Sequence, residues 1–331
     1  NEDRLALNTI DTAFELDSTH NGLKKLQERI LNKYIPSLKN KTSTTYDSGK
    51  NRSYISDNSI EFPLSTKLAI TANYNFKTSE NPATNNRSTS HTFQGGLNYK
   101  LTNKITSKTS LGVINTSSFT NDYSSWVGKS VLHIKPKVSH DISIGYQKEY
   151  HNFNADLIDL EISMHHLYAN YHHLTKAKIG LYTQYYFTIQ SDKNQRSLWF
   201  TSLYYLWKAQ PTFKTGFNYL NIFFKEQLPQ NYFSPSKFHS FEFFADFTYQ
   251  LPNCRVYGNA IAAYGYQFIE DNKKQKSFCG SIDLGYKFSP YFKCSAFAQY
   301  SDLAAGNASG FSFNEVGIKF LWKFAKLSRV K

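Results

Sequence analysis

In the segment SFEFFADFTY, Ser240–Tyr249, the side chains alternate between apolar and polar, and this alternation is the strongest indication of the fold. The apolar side consists of Phe241, Phe243, Ala245, Phe247 and Tyr249. The polar side includes Ser240, Glu242, Asp246 and Thr248. A period of two belongs to a β-strand, whose successive side chains point to opposite faces of a sheet. The stretch is therefore predicted to be a strand that separates an apolar environment from a polar one.

The same alternation recurs along most of the chain. It is clear at residues 68–76, 138–146, 158–164, 278–288 and 316–324. The predicted strands run for about 10 to 15 residues, whereas strands usually have ~5–6 residues and a membrane strand needs ~9–11 to cross. Aromatic residues near the strand ends fit the girdles of a membrane barrel. These features favour an all-β fold, a transmembrane antiparallel β-barrel, over a soluble β-sandwich with its apolar face against a second sheet.

Two kinds of connection alternate between the predicted strands. Seven short ones lie near residues 63, 101–103, 136, 173–176, 211, 252 and 290. Eight longer, polar ones lie at 47–53, 77–88, 115–121, 150–154, 191–196, 225–237, 270–276 and 302–310. Fifteen connections join sixteen strands, and outer-membrane barrels have short periplasmic turns and longer outside loops. The prediction is a barrel over 35–331 in the bacterial outer membrane, with the N-terminus in the periplasm.

Composition excludes several other classes. Among 331 residues there are 27 Phe, 24 Tyr and 4 Trp, too many aromatics for a disordered chain. No apolar run reaches the 18 residues that a membrane-spanning helix requires. The net charge of +13 comes from scattered basic residues without a nucleic-acid-binding signature, so no nucleic acid partner is predicted.

The sequence also lacks the signatures of an enzyme. It has no GxSxG elbow, no glycine-rich phosphate loop and no cysteine pair at metal-binding spacing. The histidine doublets His165–His166 and His172–His173 can each present only one imidazole to a shared face of a strand. We therefore predict no catalytic residue, no metal site and no cofactor.

Residues 1–34 have a helical period instead, with apolar residues three and four apart. The segment AFELDSTHNGLKKLQERI, Ala13–Ile30, resembles the end of a tetratricopeptide repeat, with Ser18 where the repeat has proline. Such repeats are stable only as stacks. The resemblance implies that preceding repeats lie outside this chain or that the helices dock on the barrel. An ordinary amphipathic helical hairpin is the alternative.

The alternation assigns faces to individual residues. Ile70, Ile144, Ile162, Phe247 and Ile282 are predicted to face lipid. The predicted lumen-lining residues are Asp141, Glu149, Asp159, Glu161, Glu242, Asp246, Arg255, Tyr257, Asp283 and Glu315. Carboxylates and aromatic rings together suit a hydrated sugar chain, although any water-filled lumen is polar.

One loop carries a further resemblance. The segment NYFSPSKF, Asn231–Phe238, is similar to the Tyr-[Tyr/Phe]-Ser-Pro segment of exopolysaccharide export porins with a tetratricopeptide-repeat arm. That family includes the poly-N-acetylglucosamine, cellulose and Pel exporters, whose barrels have sixteen strands. The resemblance implies a channel that exports a polysaccharide. It also implies that the helical arm binds periplasmic or inner-membrane synthesis proteins.

The same loop is predicted to gate the channel. Tyr232 and Phe233 give it apolar anchors, Ser234 follows them, and Pro235 stiffens the chain. An exposed apolar loop would promote association, so we expect it to fold over the barrel mouth.

Two alternatives stay open. One is a barrel that translocates or assembles surface proteins or lipoproteins, and the other is a general diffusion porin. Helical repeats upstream would favour polysaccharide export or protein assembly, whereas a long inward constriction loop would favour the porin. In each case the expected surroundings are outer-membrane lipid and lipopolysaccharide, which basic outer loops would contact.

Overall fold

A short helical segment precedes the barrel. The computed structural model describes residues 2–17, 19–271, 274–303 and 312–324. Helices α1 (Glu2–Leu16) and α2 (Asn21–Leu31) are followed by a 3₁₀ turn at Asn32–Tyr34. None of the described helices is long and apolar enough to cross a membrane. Ser18, which stands where the tetratricopeptide repeat has proline, lies outside the described residues.

Sixteen strands make up the described barrel. In chain order they are β1 (Ser37–Asp47), β2 (Arg52–Pro63), β3 (Leu68–Asn81), β4 (Asn86–Lys100), β5 (Ile105–Ser117), β6 (Tyr123–Ile134), β7 (His140–Tyr150), β8 (Ser163–Leu174), β9 (Ile179–Gln190), β10 (Gln195–Ala209), β11 (Thr212–Phe224), β12 (Phe238–Tyr249), β13 (Val256–Ile269), β14 (Gln275–Lys287), β15 (Phe292–Ser301) and β16 (Phe313–Lys323). Each pairs antiparallel with the next, and β1 pairs with β16 from Ser37–Lys323 to Asp47–Phe313. The predicted closed barrel of sixteen strands is confirmed.

The outward face of the barrel is apolar, as the alternation predicts. Ile70, Ile144, Phe247 and Ile282 all point outward and are exposed. The outward tryptophans Trp126, Trp199, Trp207 and Trp322 are exposed too. The residues that alternate with these outward side chains point into the lumen. Most of them are polar, so the inward face is polar over most of its length.

The prediction of a strand over 158–164 was wrong. Ala155–Asp159 form a short helix, α3, and β8 begins only at Ser163. The Asn154 side chain caps α3 by accepting the Leu157 N–H at 2.9 Å, an arrangement that favours a helix start over an extended strand. Ile162 is consequently buried rather than lipid-facing.

The two ends of the barrel differ less in loop length than expected. The predicted loop at 77–88 shrinks to residues 82–85, because β3 and β4 continue through the polar sequence on both sides. The long connections at this end are 151–162, 225–237 and 302–312, the last of which is largely outside the described residues. We call this the long-loop end and the other the short-turn end.

The helices dock at the short-turn end. Leu7 and Ile10 of α1 pack against Ile30 and Tyr34. The Lys323 ammonium at the end of β16 donates to the Asn32 carbonyl at 2.8 Å. Other apolar residues of the helices, Leu5, Leu16 and Leu26, remain exposed.

Candidate functional site

Two adjoining cavities lie in the lumen, with volumes of about 790 and 410 Å³. Both are lined by Ser59 and Asn73, so they meet at β2 and β3. Amide side chains recur around their walls, at Asn73, Gln94, Asn98, Asn170, Asn259 and Gln299. The lumen therefore offers neutral donors and acceptors on several sides.

Several of the predicted lumen residues lie on the inward face in ion pairs. The Lys319 ammonium is 2.7 Å from the Asp283 carboxylate, and the Lys214 ammonium is 3.1 Å from that of Asp246. Glu315 accepts from the Ser43 hydroxyl at 2.6 Å and also pairs with Lys41. Tyr257 lines the larger cavity beside Asp283. The Lys214 and Lys41 pairs join neighbouring strands on the inward wall, and the Lys319 pair joins β16 to β14 across β15.

Three other predicted residues sit on the inward face outside the two cavities. Asp141 lies at the short-turn end, where the Lys135 ammonium is 2.8 Å away. Glu149 lies towards the long-loop end, 3.1 Å from Nε2 of His166. Glu242 is buried and accepts from the Ser277 hydroxyl at 3.0 Å.

For three residues the predicted position on the lumen wall was wrong. Asp159 ends α3 and accepts hydrogen bonds from Ser118 and Thr120 in the β5–β6 loop. Glu161 occupies a turn with φ of 51° after that helix. Arg255 precedes β13 in a short turn, where its guanidinium is 3.5 Å from the Tyr286 hydroxyl. None of the three lies on an inward strand face, because the strands begin later than the alternation suggested.

A cover of two loops, residues 151–162 and 225–237, lies at the long-loop end. Tyr232 anchors the second loop and is buried. Its hydroxyl lies 2.6 Å from Oε1 of Gln190 and 2.7 Å from the Asp192 carboxylate, and it accepts from the Asn194 amide at 2.9 Å. Burial, together with Asp192, raises the pKa of the Tyr232 phenol, so this group stays a neutral donor.

Hydrogen bonds also fix the rest of the 225–237 loop. The Ser234 hydroxyl accepts from the Leu228 N–H at 2.7 Å, and the Pro235 carbonyl accepts from the Phe224 N–H at 3.0 Å. The Ser236 N–H and hydroxyl donate to the Glu270 carboxylate at 2.6 and 2.7 Å. Phe233 is half-buried against Phe238. The four residues predicted to gate the channel thus lie in an ordered segment.

The 151–162 loop contacts a part of the barrel wall that lies four strands away from its own strands. The Asp156 carboxylate of α3 accepts from Asn81, from Asn86 and, at 2.9 Å, from Thr84, all on or between β3 and β4. The Lys77 ammonium donates to the Phe153 carbonyl at 2.7 Å. This loop therefore extends over the lumen from β7 and β8 to β3 and β4, a quarter of the way around the barrel.

An apolar cluster joins the cover to the barrel wall. The cover contributes Leu157, Ile162 and Tyr232, which pack against inward side chains near the ends of β11 and β12. Those side chains are Leu220, Ile222, Phe224 and Phe238, and Phe238 is fully buried at 0% exposure. The cover is held by a packed core as well as by hydrogen bonds.

Sequence reasoning found one of the two cover loops. The 225–237 loop drew attention through its apolar content, but the role of 151–162 was missed. Its signal was Asn154 followed by Asp156, an N-cap pattern that opens a helix. Which wall the helix would reach could not be read from its own residues.

His151 is the first residue of the 151–162 cover loop and is buried. Its ring stacks on Tyr232 with centroids 5.3 Å apart, and its Nε2 is 3.0 Å from the Gln190 amide nitrogen. Burial, and then the Arg196 guanidinium, lowers the pKa of His151 to about 4. The imidazole is therefore neutral at neutral pH, where Nε2 can accept the Gln190 N–H.

Acid should loosen the cover through His151. A released histidine has a pKa of ~6.5, so between pH 6.5 and about 4 the released state binds a proton that the closed state does not. The closed state therefore loses stability as pH falls through this window. We expect single-channel conductance in planar bilayers to rise from pH 7 to pH 4.5, and His151→Gln to flatten that response. The charged and titratable groups around His151 are Arg196, Glu149, Asp192 and His166. An unchanged acid response in His151→Gln would assign the effect to one of these.

Comparison with known proteins gives a structural relationship only. No protein-family model and no curated protein sequence matches this chain. A solved structure described as a "bacterial polysaccharide outer membrane secretin" has a TM-score of 0.72 at 11% identity, over 88% of this chain and 99% of that one. CdiB from Acinetobacter baumannii has a TM-score of 0.50 at 10% identity, over 87% of this chain and 60% of that one. At these identities the similarity shows the fold, and it extends over almost the whole of the polysaccharide secretin chain.

Proposed function

We propose that this chain is an outer-membrane channel through which a secreted polysaccharide leaves the cell. The observation that carries the proposal is the lumen, where two adjoining cavities are lined by amides from many strands. Amides donate to and accept from sugar hydroxyls with equal ease. The half-buried rings of Tyr186 and Tyr257 add apolar surface for pyranose faces. The barrel forms a passage and carries out no catalytic step, so transport is driven by polymer synthesis.

The outward surface supports a place in the outer membrane. Apolar side chains cover the middle of most strands, and exposed tryptophans lie nearer several strand ends, the pattern of a membrane barrel with interfacial girdles. The short-turn end, with the helices, then faces the periplasm. Exposed Leu16 on those helices, which is 89% accessible, is available to preceding repeats or to synthesis proteins. Basic residues of the long-loop end, such as Lys50 and Lys193, would contact lipopolysaccharide.

In this proposal the cover is the gate. A passage wide enough for a sugar chain would leak small solutes if it stayed open. The apolar cluster around Tyr232 and Phe238 closes the long-loop end between export events. The resemblance of Tyr232, Phe233, Ser234 and Pro235 to the exopolysaccharide porin segment, and the fold shared with the polysaccharide secretin, support a polysaccharide as the cargo of the gated passage.

A general diffusion porin is the second candidate. The observation that favours it is the 151–162 loop, which extends over the lumen in the manner of a constriction loop. Such a porin needs a permanent polar opening beside the loop. Here the loop instead joins a buried apolar cluster with Leu157 and Ile162, which favours a gated passage.

Contact between the growing polymer and the lumen wall tests the proposal. Asn73 lines both cavities, whereas its neighbour Ala72 points outward. We expect a photoreactive residue at position 73, but not at 72, to form sugar-containing adducts when irradiated in exporting cells. The two variants differ by one position on the same strand, so expression and location are matched.

A further inference from the structure

The charges that line the two lumen cavities are unequal. Six lysines contribute to the walls, Lys39, Lys41, Lys108, Lys129, Lys293 and Lys319. They face three carboxylates, Asp57, Glu61 and Asp283. Asp283 already pairs with Lys319, and Lys41 pairs with Glu315. Within the described residues, the ammonium groups of Lys39, Lys108, Lys129 and Lys293 have no carboxylate oxygen within 4.0 Å. Only Asp57 and Glu61 offset these four lysines, so the walls of the sugar path carry a net positive charge.

Aromatic rings position some of these lysines without neutralising them. The Lys129 ammonium lies 5.8 Å from the Tyr168 ring centroid, and that of Lys293 lies 5.5 Å from Tyr257. Phe297 is contacted by two lysines, Lys319 at 4.2 Å and Lys41 at 4.9 Å. A ring attracts an ammonium through its quadrupole and brings no negative charge of its own. The positive charge is thus held in place and stays available to a ligand.

The strand connections at the two ends of the barrel have opposite net charge. The seven connections of the short-turn end contain no carboxylate but seven basic residues, Lys67, Lys104, Lys135, Lys137, Lys176, Lys178 and Arg255. By sequence, the eight connections of the long-loop end contain nine carboxylates and six lysines. A negatively charged chain would be attracted at the short-turn end and repelled at the other, and such fields raise local concentration and capture rates.

We infer that the exported polysaccharide is anionic, with carboxylate or similar acidic groups along its sugars. This inference rests on the proposed function and adds the chemical class of the cargo. The lumen lysines bind the acidic groups, and the surrounding amides bind the hydroxyls. A neutral polymer would need the amides alone, and a cationic one would meet repulsion from the short-turn end onwards.

Binding of defined oligosaccharides tests the inference. The full chain in detergent is titrated calorimetrically with hexagalacturonate, maltohexaose and the fully deacetylated glucosamine hexamer. We expect hexagalacturonate to bind at least tenfold more tightly than maltohexaose, with an affinity that falls as salt rises. The glucosamine hexamer should bind more weakly than either.

Matched variants locate the charge that matters. Lys39→Gln with Lys293→Gln removes two lumen ammonium groups, and we expect a loss of at least tenfold in hexagalacturonate affinity. Lys24→Gln with Lys25→Gln removes two exposed ammonium groups from helix α2, away from the lumen and the short turns, and we expect a change below twofold. Heat-modifiable migration on a gel checks that each barrel is folded.

Other results would overturn the inference in distinguishable ways. Equal affinity for hexagalacturonate and maltohexaose would keep a sugar path and reject an acidic cargo. Equal losses in the lumen and helix variants would assign the effect to the overall positive charge of the chain and reject the lumen lysines as the binding site. Binding of no hexamer, together with no adducts at Asn73, would reject the proposed function itself.

Discussion

Deletion of Gln230–Lys237 should raise single-channel conductance several-fold while the barrel stays folded. The deletion removes Tyr232, whose hydroxyl lies within 2.6–2.9 Å of Gln190, Asp192 and Asn194 and whose ring belongs to the apolar cluster. The strands β11 and β12 pair through eleven registered positions that the deletion leaves in place. Conductance is measured in planar bilayers, and antibiotic sensitivity in cells should rise in parallel.

Two point variants test which part of the deleted segment is responsible for the rise in conductance. Tyr232→Phe removes the hydroxyl and keeps the ring in the cluster, so we expect conductance between those of the parent and the deletion. Lys237→Gln removes an exposed ion pair with Asp271 and should change nothing. Unchanged conductance and a normal rate of export in the deletion would show that the segment is only a turn. A rise in conductance with normal export would establish a gate and give no support to polysaccharide as the cargo.

Ile282→Lys should destabilise the barrel in a bilayer by ~2–4 kcal/mol, the cost of a lysine near the midplane of a membrane barrel. Ile282 lies near the middle of β14, points outward and is 45% exposed. The neighbouring residue Ser281 lines the larger lumen cavity. Ser281→Lys is therefore the matched control, and its ammonium would be solvated in the lumen at little cost.

The free energy of unfolding is obtained from denaturant titration of barrels folded into phospholipid vesicles. Equal losses for Ile282→Lys and Ser281→Lys would contradict the outward environment that we propose. A larger loss for Ser281→Lys would mean that the two faces are exchanged, as a slip of one residue in register would produce.

Much of the barrel could be predicted because every second residue of a strand faces the same environment, and its polarity matches that environment. Ser240–Tyr249 shows this, since Glu242 and Asp246 point inward and Phe243 and Phe247 point outward. The same rule failed at Ile158, Leu160 and Ile162. Their spacing imitates a strand, but the Asn154 cap and packing against the wall produced a helix and a turn.

The arrangement of the lumen and its cover was harder to predict, because it depends on contacts between residues far apart in the chain. Asp156 binds the β3–β4 hairpin 70 to 75 positions earlier in the chain. The sequence of neither segment indicates that the two are in contact. The charge asymmetry between the two ends, by contrast, can be read from the sequence once the short and long connections are assigned to opposite ends. Apolar content identified the 225–237 loop because such content is unusual for an exposed segment.

Photocrosslinking from Asn73 and Ala72 during polymer export is the most direct test of the central claim. We predict sugar-containing adducts from the inward position 73 only, and their loss when polymer synthesis is stopped. Adducts at neither position, or equally at both, while the polymer reaches the surface at its normal rate would contradict a polysaccharide path through the lumen.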